Sequence, residues 1–100
     1  SIYIINIMNF TWDDAKRQSN LRKHELDFAD AEQVFAGPMA TFEDTRHVYA
    51  EQRLIGLGLL NGLVVVIIHV EADTTIRVIS MRKASHHEAD LFYQTFSPAR

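Results

Sequence analysis

The sequence predicts a single α+β domain, residues 1–100, in which two N-terminal helices and one C-terminal helix pack on a twisted, mainly antiparallel sheet in the order β-α-α-β-β-β-α. Three observations carry that expectation. β-Branched and apolar runs are joined by Asn61-Gly62, a pair in which both residues tolerate positive φ and so form a hairpin turn. Helix-starting residues, Asp13 and Ser85, stand before segments with helical spacing at both ends of the chain. Gly37-Pro38 then separates the helical N-terminal third from the strands.

Taken in order, Ile2–Phe10 reads as a strand. Thr11 or Asp13 caps a polar helix over Asp14–His24, with Ala15 and Leu21 as its clearest core candidates. Asp27 caps a short second helix, Phe28–Phe35, with Phe28, Ala31, Val34 and Phe35 turned to the core. Met39–Phe42 forms a short strand, and Tyr49–Leu60 a longer one in which Glu51 and Arg53 share a face because the side-chain period is two. Leu63–Glu71 is apolar on both faces and so belongs in the middle of the sheet. Thr75–Lys83 follows, and Ser85 with Glu88 has the spacing of a capping box that opens the last helix. Leu91, Phe92 and Phe96 lie on one side of that helix, and the helices gather largely on one face of the sheet.

Composition sets outer limits. Hydrophobic residues are 47% and charged residues 23%, as in folded domains rather than disordered ones. No cysteine is present, which rules out disulfides, thiolate metal sites and a cysteine nucleophile and fits a cytoplasmic setting. Ser1–Met8 lacks the basic start and cleavage site of a secretory leader, and the apolar run Leu57–Val70 is too short for a membrane span. The net charge of −3 means that any contact with a polyanion depends on a local cluster.

The candidate chemistry lies where Thr75–Lys83 meets the last helix. Arg82, with Glu51 and Arg53 on a neighbouring strand, would join a proton acceptor to two guanidinium forks that fit phosphate. The same residues could equally form a cross-strand ion pair on a solvated face. Ser80 shares the parity of Arg82, whereas Arg77 and Lys83 fall on the other side unless a bulge intervenes. Tyr93 is either packing or a site hydroxyl, and Glu88 has a structural task in the cap. His86-His87 and His69 with Glu71 lack a third metal ligand at a recognisable spacing, and neither a metal nor another cofactor is expected.

Read together, Phe10-Thr-Trp12-Asp13-Asp-Ala-Lys16, Asn20-Leu-Arg-Lys23-His24 and Phe28-Ala-Asp-Ala31 resemble the opening of the BrnT toxins of bacterial type II toxin–antitoxin systems. Arg46, Glu51, Arg53, the run Arg77-Val-Ile-Ser80-Met-Arg82-Lys83-Ala84, Glu88 and Tyr93 resemble the second half of that family in the same order. The resemblance spans about residues 10–95. It implies a RelE-like fold and an endoribonuclease that blocks translation, acting on free or ribosome-associated RNA. It also implies a BrnA-type ribbon-helix-helix antitoxin, through which alone the toxin would meet operator DNA. On this reading Glu51, Arg53, Arg82, Lys23 and Tyr93 are the catalytic candidates, and His24, Arg77, Ser80 and Lys83 the RNA-binding ones. The rival expectation is a non-catalytic or inactivated module that only binds an antitoxin or repressor partner. Glu25 stands where the family usually has glycine, so a left-handed helix exit there would cost about 1 kcal/mol.

Overall fold

The computed structural model describes residues 8–97, and the elements are β1 (Asn9–Trp12), α1 (Asp14–His24), a 3₁₀ turn (Phe28–Asp30), α2 (Ala31–Phe35), β2 (Ala40–Glu43), β3 (Leu54–Leu60), β4 (Leu63–Ala72), β5 (Thr75–Lys83) and α3 (His86–Phe96). They form one five-stranded sheet in the order β1-β5-β4-β3-β2. β1 runs parallel to β5, and every other pairing is antiparallel. The α+β class agrees with the sequence expectation and the element order does so roughly: four strands rather than three follow α2, and some elements begin elsewhere. β1 sits at Asn9–Trp12, and the part of the expected strand before Met8 lies outside the described residues.

Local chemistry sets the helix limits. Asp13 accepts the Lys16 N–H at 3.0 Å, and α1 ends at Glu25, which adopts φ 59° while its N–H reaches the Leu21 carbonyl. This is the left-handed exit, occupied by glutamate instead of glycine, so the strain expected of a Cβ is present. Asp27 caps the 3₁₀ turn through the Ala29 N–H and also takes two hydrogen bonds from Arg17, at 2.7 and 2.9 Å. Those bonds tie α1 to the turn and hold the Asp27 carboxyl down at about 2. Asn61 and Gly62, at φ 51° and 83°, make the β3–β4 hairpin turn as expected.

Alternation along β4 divides the core in two. Val65 and Ile67 pack with Phe28, Ala31 and Val34 on one face, and Val64, Val66 and Ile68 pack with Phe92 on the other. The 3₁₀ turn and α2 therefore cover one face and α3 the opposite one, where sequence alone grouped the helices largely on a single face. On the first face, Gly56 and Gly58 let Met39 and Val34 approach the sheet; a Cβ at Gly58 would lie 2.4 Å from the Met39 sulfur.

α1 departs from its expected packing. Ala15 and Leu21 are exposed, and the buried residue is Asn20. The Asn20 side chain accepts the Met81 N–H at 3.1 Å and donates to the carbonyls of Met81 at 2.9 Å and Leu26 at 3.1 Å. β1 pairs with β5 only as far as Val78. Asn20 thus satisfies the edge of β5 where the strand partner has ended. Within α3 only Phe92 is buried, while Leu91 and Phe96 of the expected apolar stripe are partly exposed, Phe96 with its ring against Phe92.

Candidate active site

A bulge in β5 decides which side chains meet. Val66 faces Arg82 and Ile68 faces Ser80, but the next β4 residue, His69, faces Val78, which leaves Ile79 without a residue opposite. Arg77, opposite Val70, consequently falls on the same face as Ser80 and Arg82. A regular strand would have turned Arg77 away. Lys83, opposite Val65, is on the other face.

Arg82 and Glu88 form a two-pronged pair at 2.8 and 2.7 Å. Glu88 also accepts the Ser85 N–H at 2.8 Å, and Ser85 accepts the Glu88 N–H, so the predicted capping box is complete. One carboxylate thus fixes both a helix start and a guanidinium. The Arg82 hydrogen bonds, with the Ser85 N–H, hold Glu88 down at about 2, and the same bonds to Glu88 raise Arg82 above its ordinary value.

The strand expected over Tyr49–Leu60 begins only at Leu54; residues 44–53 are a loop, so the two-residue period cannot relate Glu51 to Arg53. The loop is built around Asp44, whose side chain is wholly buried. Asp44 accepts the Arg46 backbone N–H at 3.2 Å, an Asx turn, and binds the Arg46 guanidinium at 2.8 Å through each oxygen. Tyr49 donates its hydroxyl to the same carboxylate at 3.4 Å. The Arg53 guanidinium lies over the Tyr49 ring at 4.2 Å, and the Asp44 N–H binds the Arg53 carbonyl at 2.8 Å. The buried Arg53 Nε has no hydrogen-bond partner among the described residues. Glu51 is exposed and pairs with Arg77 across the gap between loop and sheet.

Lys23 and His24, on the last turn of α1, line a shallow groove with Lys16, Ser19, Ile79 and Ser80. The structure therefore brings both together with Ser80. Tyr93 and Lys83 line a different cleft, near the β3–β4 turn, with Ser85, His86 and Ala89. Asp44 and Tyr49 escaped the sequence reading; the Asp-x-Arg spacing of an Asx turn was the signal available for Asp44. Among the described residues no group of three or more His, Asp or Glu side chains is placed to hold a metal ion. His69 and Glu71 do meet, at 2.8 Å, with His69 buried against Phe35 on the opposite face of the sheet. No helix of the described residues is long and apolar enough to cross a membrane.

The family model for the ribonuclease toxin BrnT of type II toxin–antitoxin systems matches residues 12–88, a span that contains α1, the 44–53 loop, all of β5 and Glu88. The chain belongs to the BrnT family. It is similar to the ribonuclease toxin BrnT of Brucella abortus, whose crystal structure superposes with a TM-score of 0.62 at 36% identity, covering 79% of this chain and 99% of that one. Comparison with curated proteins gave no match. As a BrnT-family chain it carries the fold of a ribonuclease toxin, and the family's type II systems include an antitoxin. Its cations are local: Arg46, Arg77 and Arg82 each hold a carboxylate, whereas the buried Nε of Arg53 has no partner among the described residues.

Proposed function

We propose that this BrnT-family chain is an active, metal-independent endoribonuclease that inhibits translation and is neutralised by a BrnA-type ribbon-helix-helix antitoxin. The reaction is attack by an RNA 2′-hydroxyl on its own 3′-phosphate. The O–P bond forms as the bond to the 5′-oxygen breaks, leaving a cyclic phosphate and a free 5′-hydroxyl. Arg82 and Arg53 stabilise the anionic phosphorane, because a guanidinium binds two phosphate oxygens at once. Glu51 accepts the 2′-hydroxyl proton as Arg77 exchanges carboxylate for phosphate. Lys23 and His24, reached along the groove past Ser80, hold RNA and assist the departing oxygen. Tyr93 and Lys83, in their separate cleft, extend the RNA contact beyond the scissile bond.

The observation that supports this reading is the bulge at Ile79, which leaves Arg77, Ser80 and Arg82 on one face of the sheet. A second reading, a non-catalytic module that docks an acidic antitoxin, draws on the carboxylates already paired with Arg46, Arg77 and Arg82. Incubation of the purified chain with single-stranded RNA and with its 2′-O-methyl counterpart, in the presence of a chelator, separates the two. Cleavage of the first alone, leaving cyclic phosphate ends, is expected. A folded chain that cleaves neither, causes no growth arrest on induction and still binds the antitoxin tightly would establish the docking module.

A further inference from the structure

Resting on the ribonuclease reading, we propose that Asp44 is a positioning residue that sets Arg46 directly, and Arg53 through Tyr49, as a second phosphate grip beside Arg82. The sequence delivers Asp44 one residue past β2, where its backbone N–H continues the ladder by binding the Arg53 carbonyl. That bond fixes the two ends of the 44–53 loop against each other. Inside the loop the wholly buried carboxylate receives four hydrogen bonds: three from Arg46 and one from the Tyr49 hydroxyl. A buried carboxylate is retained only when its lone pairs are satisfied, and here the donors are one guanidinium, one amide and one phenol.

The consequence is geometric. Arg46 is held by Asp44 through its Nε and one terminal nitrogen, and more than half of its side chain remains in solvent. The same carboxylate anchors the Tyr49 hydroxyl and so orients the ring that carries Arg53. His47 meets the edge of that ring and closes the loop around it. One anion thus orients two cations without placing its own charge at the surface. Glu51 ties the same loop to Arg77, which shares its sheet face with Arg82, so a phosphate held by the loop cations lies on the Arg82 side of the sheet.

The test is binding of a 2′-O-methyl RNA oligonucleotide, which cannot be cleaved by internal attack, at several salt concentrations. Asp44→Asn should weaken binding at least about tenfold and lower the slope of log affinity against log salt by roughly 0.7, the loss of one phosphate contact on a single strand. In an Arg46→Ala background Asp44→Asn should cost less than it does alone, because only the Arg53 arm then remains for it to set. Tyr49→Phe, which keeps the ring under Arg53, should lose less than Tyr49→Ala. Asp44→Asn with wild-type affinity and salt slope, or a fully additive loss with Arg46→Ala, overturns the positioning role while leaving the ribonuclease reading intact. A wild-type chain that binds no RNA overturns both.

Discussion

Arg82 of β5 and Glu88 of α3 hold each other through paired hydrogen bonds of 2.8 and 2.7 Å, and the glutamate also caps its own helix. The pair couples site geometry to the strand–helix junction. Arg82→Ala should reduce RNA cleavage by about 100-fold or more, the scale set by losing one preorganised stabiliser of an oxyanion. Stability should fall by no more than about 1 kcal/mol, because Glu88 keeps its bond to the Ser85 N–H. Arg82→Lys should not restore activity, since an ammonium lacks the fork. Cleavage assays beside thermal melts check this, and full activity in a folded Arg82→Ala chain would remove Arg82 from the site.

Acid should destabilise the fold in a defined window. Hydrogen bonds from Arg82, Arg17 and Arg46 hold Glu88, Asp27 and Asp44 down at about 2. In the unfolded chain the same groups titrate near ~4. The folded state therefore binds fewer protons between these limits, so the stabilisation is complete above about pH 5 and is lost as pH falls toward 2. Urea midpoints at pH 7, 4 and 3 should decline in that order, and Glu88→Gln should flatten part of the decline. Equal midpoints at pH 7 and 3 would contradict the ion-pair assignment.

Asn20→Ala should cost roughly 2–4 kcal/mol, measured by urea denaturation, because it strands the Met81 N–H and two carbonyls at a buried edge. A loss under about 1 kcal/mol would mean that water replaces the amide at little cost.

Glu25→Gly should raise stability by about 0.5–1 kcal/mol, because φ 59° strains a residue with a Cβ. For a domain of this size that corresponds to roughly 4 °C in melting temperature. An unchanged or lower melting point would place the benefit of glutamate elsewhere.

Signals confined to a few adjacent residues were legible in the sequence: the Asp13 and Ser85 caps, the Asn61-Gly62 turn, and the apolar run of β4. What escaped it depends on relations between distant segments. The bulge at Ile79 exists only against β4, and it moved Arg77 to the face of Arg82. Asn20 reads as a solvated residue until β5 presents Met81 to it. Tyr49–Arg53 runs without a break signal into the apolar residues of β3 but belongs to a loop held by the Asp44 carboxylate, which has no periodic signature. Arg53 and Arg82 were found as candidates, whereas the anion that organises the loop was not.

The clasp between Asn20 and Met81 joins residues 61 positions apart. α1 buries no apolar side chain of its own, and eleven residues are too few for a stable isolated helix in water. During synthesis α1 has its Arg17–Asp27 tie to the 3₁₀ turn but no clasp on the sheet until β5 has been made, and Lys23 and His24 cannot reach Ser80 before then. A nascent chain that stops short of Met81 should show little helix by circular dichroism and no cleavage. On the proposed ribonuclease reading, that timing keeps each unfinished copy inactive until the sheet is complete.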